Sequence, residues 1–385
     1  MTEPVGFWTF ALYFLRLGAT GFGGPIALAG FMQRDLVDER RWITRQDFLD
    51  GLALAQLAPG PLAAQLAMYL GYVRGGLGGA TVVAIAFVLP SFLMVWAISA
   101  AYVRFGGLPW MQALFYGVGA AVIGIIVRSA QKLTRLTLGK RPLLWSVAAA
   151  AALVTAWTER EIPWLFLLAG LLTATPAILA RRRARDGTPV AGLGLVTLAA
   201  PAAAAPLLPT LPNIFWLFAK AGAFVFGSGL AIVPFLYGEL VQTHGWLTDR
   251  QFLDAVAVAM ITPGPVVITV AFIGYLVGGL AGGTLAALGV FLPTYLFVVV
   301  PYRWFDRFSE NPQVKAFVGG VTAAAAGAIA GACFVLGRRA IFDVPTALLA
   351  LGAFGLLWRF KVPEPVLIAG AGAVGVLIFW MRGVS

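Results

Sequence analysis

The chain has little with which to do redox or metal chemistry. Its single cysteine, Cys333, can form no intrachain disulfide and no thiolate metal site. Its single histidine, His244, excludes multi-histidine centres. Charge is scarce as well: 11% of 385 residues are charged, against about a quarter in soluble chains. There is no nucleophile–base constellation, no phosphate-binding loop and no metal cluster, so an enzyme is not expected and neither is a cofactor. Nor is there a soluble domain, because the longest polar stretch, near Gln33 to Asp47, is too short to fold alone. The N-terminus lacks a basic segment leading into a small-residue cleavage site, and it is expected to be a mature start.

Apolar residues fill the space. Sixty per cent of the chain is hydrophobic and the mean hydropathy is +0.89, which defines an all-helical, multi-pass membrane protein. The net charge of +11 sits mostly at the ends of apolar segments. There it anchors topology and contacts anionic lipid headgroups, so nucleic acid is not expected as a partner. Excess positive charge around a vestibule draws in anions rather than cations.

The chain also contains an approximate copy of itself. Residues 10–61 align with 214–265 at a constant offset of 204, with 19 of 52 pairs identical. Phe22-Gly23 falls on Phe226-Gly227, Trp42 on Trp246, Phe48-Leu49-Asp50 on Phe252-Leu253-Asp254, and Pro59-Gly60-Pro61 on Pro263-Gly264-Pro265. One residue is then lost, and Gly71-Tyr72 falls on Gly274-Tyr275 and Leu89-Pro90 on Leu292-Pro293. A half-chain repeat with Gly/Pro breaks inside apolar segments is the mark of a transporter whose site lies between pseudo-symmetric halves.

Apolar segments fall at roughly 5–31, 48–73, 79–103, 109–130, 142–158 and 162–180, and again at roughly 212–238, 250–277, 281–303, 313–336, 340–358 and 364–382. Two six-span halves are expected, 1–188 and 212–385, joined by 189–211 as a linker or an extra span. If 189–211 crosses the membrane, the halves are inverted and the spans number 13; otherwise they are parallel and number 12. Arg128, Lys132, Arg135, Lys140 and Arg141, and then the cluster at 181–185, belong on the cytoplasmic side.

The first two segments of each half are broken or re-entrant. Segment 1 is interrupted at Gly21-Phe22-Gly23-Gly24-Pro25 and its partner at Gly227-Ser228-Gly229; segment 2 is interrupted by Pro-Gly-Pro in both halves. A helix that restarts inside the membrane exposes about four free N–H groups at the positive end of its dipole. Glycines let backbone approach a ligand, and proline suits a first turn. Such a restart favours an anion with several acceptor oxygens, which makes Gly23, Gly24, Pro25, Gly227, Ser228, Gly229, Pro59, Gly60, Pro61, Pro263, Gly264 and Pro265 candidate ligand-binding positions. Arg16 and Lys220, aligned on the two first segments, are either compensating cations or residues that snorkel to the interface. Gln56, Gln65, Thr262 and Thr269 flank the Pro-Gly-Pro breaks as hydrogen-bond candidates. Asp50 and Asp254, at matched positions, are expected to cap their helices or pair with a nearby base, with proton acceptance in coupling as the alternative. The repeated Pro90 and Pro293 argue only for a kink.

Gly21-Phe22-Gly23-Gly24-Pro25, Val37-Asp38-Glu39-Arg40-Arg41-Trp42 and Leu54-Ala55-Gln56-Leu57-Ala58-Pro59-Gly60-Pro61 resemble the chromate ion transporter family in its long, two-half form. So do Phe226-Gly227-Ser228-Gly229, Thr262-Pro263-Gly264-Pro265 and Phe272-Ile273-Gly274-Tyr275. The chain departs from many members at Leu28 and at Leu62-Ala63-Ala64-Gln65, where they carry more polar residues. The resemblance implies halves of opposite topology in a bacterial inner membrane, and export of chromate or a sulfate-like oxyanion giving chromate resistance. Site charge from Arg16 and Lys220 and hydrogen bonds from Gln56, Gln65 and Thr262 would suit that role. A coupling proton or counter-anion, and a homodimer, stay open. The rivals are an oxyanion channel lined by the same breaks, a carrier of another anion, and a membrane enzyme acting on a lipid phosphate, for which no acid–base pair is present.

Overall fold

A computed structural model of the chain describes residues 5–22, 24–106, 108–159, 163–186, 208–224, 229, 232–304, 311–360 and 362–381. Among these residues all regular structure is helical. Five of the helices are long and apolar enough to cross a membrane, as the composition demands.

The first two segments of each half are each built from two short helices joined by a break. Helix α1 (Phe7–Thr20) has 14 residues, a rise of about 21 Å against a hydrocarbon core of about 30 Å. It ends at Gly21, and α2 (Gly24–Met32), followed by a π-helical stretch (Gln33–Glu39), runs back alongside it. The Tyr13 hydroxyl donates to Asp35 at 3.2 Å, and Trp42 stacks near Phe10 and Tyr13. The loop tryptophan is thus packed on α1.

The second segment makes a second hairpin. Helix α3 (Arg45–Leu57) starts at the Thr44 cap, whose hydroxyl accepts from the Asp47 N–H, and ends before Pro59-Gly60-Pro61. Helix α4 (Leu62–Phe105) then begins. Its 44 residues are not one rod: Gly75 and Gly76 leave helical geometry, with Gly76 at φ +58°. The chain folds back there, and a side chain at Gly71 would stand 2.6 Å from the Gly79 carbonyl. Only glycine allows that positive φ and that approach. Leu62–Arg74 therefore packs against α3, with Gly51 seated on Tyr69 and Leu66.

The second half repeats the pattern. Helix α8 (Leu211–Phe224) is followed by α9 (Ile232–Tyr237) and a π-helical stretch (Gly238–Thr243). Helix α10 (Asp249–Ile261) begins with a capping box between Thr248 and Gln251, and Thr262–Pro265 leads through a 3-10 turn (Val266–Ile268) into α11 (Thr269–Val299). Helix α11 reverses at Gly278-Gly279, with Gly279 at φ +61°. Equivalent glycines make equivalent contacts: Gly18 meets the Phe87 carbonyl and Gly222 the Val290 carbonyl.

The remaining helices are α5 (Pro109–Leu138), α6 (Pro142–Thr158), α7 (Pro163–Asp186), α12 (Pro312–Ala340), α13 (Val344–Arg359) and α14 (Glu364–Met381). They exchange partners across the halves. Helix α5 packs on α13 and α14, while α12 packs on α6 and α7. Small residues permit this close approach: Gly124 faces Ala350 and Ala353, and its repeat partner Gly327 faces Ala148. Arg339 at the end of α12 joins the halves further, pairing with Glu159 and Asp249 at 2.5 Å each.

The same contacts orient the counterparts. Arg250 donates to the Gln112 carbonyl at 3.3 Å, and the Tyr116 hydroxyl to Asp343 at 2.6 Å. The start of α5 therefore lies beside the end of α12, its repeat partner. The stretch 189–207 and the residues Gly23, Gly227 and Ser228 lie outside the described residues, so the extra span and those three positions rest on the sequence alone.

Candidate functional site

The breaks of the two halves meet. The Gly264 N–H, in the second Pro-Gly-Pro tip, donates to the carbonyl of Gly21, the residue that ends α1, at 2.8 Å. Ser91 closes the contact from α4, its hydroxyl donating to the Gly18 carbonyl at 3.1 Å. A side chain at Gly264 would collide with the Ser91 hydroxyl, and Gly264 sits at φ +94°. In the other direction, the first tip reaches the second half. Gly60, at φ +140°, lies with its Cα hydrogen facing the Thr294 methyl, 3.1 Å from where a Cβ would stand. Ser91 and Thr294 are repeat partners at offset 203, each one residue after a proline inside its helix. Sequence reasoning missed both by stopping at Pro90 and Pro293; the signal was the hydroxyl residue that follows each.

Gly60, Pro61, Thr262, Pro263, Gly264 and Pro265 are all buried, and Pro59 is half-buried. Gln65 is completely buried; its amide nitrogen donates to the Pro59 carbonyl at 2.7 Å, while its Oε1 has no hydrogen-bond partner. Thr262 and Thr269 turn their hydroxyls back onto the Val258 and Val266 carbonyls at 2.7 Å each. Gly24 is at φ +74° with open space where a Cβ would stand, Pro25 follows it at the start of α2, and Gly229 packs near Val266 and Val267.

Other expected residues differ from this cluster in burial. Arg16 and Lys220 are exposed, Arg16 on the face of α1 that carries Trp8 and Leu12. Gln56 is exposed too. None of these three is buried with the tip residues. Asp50 and Asp254 do not cap their helices; Thr44 and Thr248 do. Asp50 accepts from Gln46 at 2.8 Å, whereas Asp254 is buried and accepts from the Tyr102 hydroxyl at 2.6 Å. Among the described residues no group of three or more His, Cys, Asp or Glu could hold a metal.

Chemically, a helix start of this kind favours an anion. The first bond within Leu62–Arg74 runs from the Gln65 N–H to the Pro61 carbonyl. The N–H groups of Leu62, Ala63 and Ala64 thus precede the helical ladder, at the positive end of the dipole and inside the protein. The fold and this site define a membrane transporter built from two repeats.

Comparison with known proteins gives the family. The family model described as chromate transporter matches residues 8–174 and 212–376. The chain is 58% identical over 379 residues to the chromate transport protein of Cupriavidus metallidurans, covering 96% of this chain and 92% of that one. It is 54% identical over 376 residues to the probable chromate transport protein of Synechococcus elongatus, covering 96% and 95%. It is 35% identical over 395 residues to the chromate transport protein of Pseudomonas aeruginosa, covering 96% and 92%. No solved structure matches. The chain belongs to the chromate transporter family and is a multi-pass integral membrane protein with a transport role rather than an enzyme.

Proposed function

We propose that the protein exports chromate, or a similar tetrahedral oxyanion, across the bacterial inner membrane by alternating access, and so gives chromate resistance. The observation that carries the reading is the bond from Gly264 to Gly21, because it brings breaks from both halves to one place. Breaks deep in a membrane protein survive where the freed backbone faces protein or a ligand. Here they come with helix starts at Gly24 and Leu62, which suit an anion. The names of the similar proteins from Cupriavidus, Synechococcus and Pseudomonas favour chromate.

The placement of the start of α5 beside the end of α12 supports halves of opposite orientation, and alternating access would rock one arrangement into its mirror. The first two segments of each half would be re-entrant hairpins, leaving the second limb of α4 or α11 and the three helices after it to cross. With Arg16 and Lys220 on outer faces, helix dipoles and backbone N–H groups would carry the compensation of charge at the tips.

Counterflow in proteoliposomes tests the reading. Vesicles loaded with unlabelled chromate should accumulate labelled chromate, saturably. Steady conductance without saturation or counterflow would point instead to a channel, and absence of flux would remove the oxyanion reading. Thiol labelling in a background lacking Cys333 tests orientation: reporters near Arg34 and Gly238 should react from opposite sides, and reaction from one side would rule out inversion.

A further inference from the structure

We infer that the first Pro-Gly-Pro tip selects the protonated monoanion of its substrate, through Gln65 acting as a hydrogen-bond acceptor. The inference rests on the oxyanion reading above and refines it.

Two independent features meet at this tip. One is the start of the Leu62–Arg74 helix, with the N–H groups of Leu62, Ala63 and Ala64 ahead of the first helical bond. The other is Oε1 of Gln65, fully buried and without a partner. The amide carrying that oxygen lies against the tip itself: a Cβ at Gly60 would stand 2.6 Å from Nε2 and 2.8 Å from Cδ. Its nitrogen is held by the Pro59 carbonyl, which fixes which end of the amide remains open.

A buried acceptor left unmade costs about 1–3 kcal/mol, so this oxygen has a use when a donor arrives. A metal cation is the wrong donor-equivalent beside the positive end of a helix dipole. A bare dianion offers only acceptors and would be repelled by Oε1. A tetrahedral oxyanion carrying one proton fits both features: its charged oxygens accept from the backbone N–H groups, and its hydroxyl donates to Gln65. Chromate takes up a proton near neutral pH, whereas sulfate does so only in strong acid. A site built to bond a ligand hydroxyl rejects the analogue that lacks it. Gln65 would then separate chromate from sulfate by the proton rather than by size.

Among the described residues the second tip shows no such free acceptor. Its flanking hydroxyls, on Thr262 and Thr269, are spent on their own helices, and its central N–H is bonded to Gly21.

The test is chromate transport in proteoliposomes across slightly acid to slightly alkaline buffers, with competing anions. Wild-type protein should bind chromate more tightly as the pH falls, following the protonated fraction. Hydrogen phosphate or hydrogen arsenate should compete better than sulfate or selenate. Gln65→Met, similar in size but without the carbonyl, should lose about tenfold in apparent affinity, the equivalent of one hydrogen bond, and should flatten the pH profile. Should Gln65→Met fail to assemble, the wild-type competition series decides alone. If sulfate competes as well as the hydrogen-bearing anions, or if Gln65→Met keeps the wild-type pH profile, Gln65 reads no proton and its carbonyl holds only buried water. Wild-type protein that moves neither chromate nor any competitor would overturn the oxyanion reading itself.

Discussion

The two Pro-Gly-Pro tips begin from the same three residues and end as different objects. Around Gly264 three polar groups are bonded within the protein: the N–H to Gly21, and the hydroxyls of Thr262 and Thr269 to the Val258 and Val266 carbonyls. Around Gly60 the neighbours are a methyl from Thr294 and an amide from Gln65 whose oxygen is free. A repeated motif fixes a backbone path; the side chains around it decide whether the path is a joint or a receptor. The second tip reads as the joint that ties the halves together, and the first as the end that meets the ligand.

Breaking the joint should have the largest effect. Gly264→Ala places a methyl group on the Ser91 hydroxyl at a backbone with φ +94°. It should destabilise the protein by about 2–4 kcal/mol, seen as a lower melting temperature in detergent and loss of a monodisperse peak. Gly60→Ala also carries a positive φ, +140°, but its nearest neighbour is the end of the longer Gln65 side chain. Stability should fall by about 1–2 kcal/mol, while chromate flux at matched protein should drop at least about tenfold. A Gly264→Ala protein as stable as Gly60→Ala would erase the distinction between the tips.

Smaller changes sharpen it. Ser91→Ala removes the hydroxyl that closes onto Gly18 across the joint and should cost about 1 kcal/mol. Thr294→Val removes a hydroxyl that bonds only to Val290 in its own helix, so its cost should be a few tenths of a kcal/mol. The two melting temperatures, measured side by side, should fall in that order. Smallest of all, Arg16→Gln and Lys220→Gln change exposed positions and should leave apparent chromate affinity within about twofold of wild type.

Much of this was legible in the sequence because a repeat compares a chain with itself. The offset of 204 located the breaks at Gly21 to Pro25 and at both Pro-Gly-Pro motifs, and the structure puts helix ends there. Composition was enough for an all-helical membrane protein. What the residues could not give was depth. Apolar runs such as 48–73 are long enough to cross, and only the packing of Gly51 on Tyr69 and Leu66 shows α3 and the first limb of α4 lying side by side. The exchange of partners between α5 and α12 was equally invisible, since periodicity says that a helix has an apolar face and not whose face it meets. Arg16 and Lys220 drew notice because intramembrane cations are costly; both are exposed on their helices, which aligned charges alone do not reveal. Ser91 and Thr294 were hidden behind the prolines that precede them.

Equilibrium binding of radiolabelled chromate to the purified protein tests most directly which tip meets the ligand. Gln65→Met alters the first tip, and Thr262→Ala alters a polar residue directly beside the second, whose hydroxyl donates to Val258. The account predicts that Gln65→Met weakens binding about tenfold or more, and that Thr262→Ala stays within about twofold of wild type. A larger loss in Thr262→Ala than in Gln65→Met would contradict it.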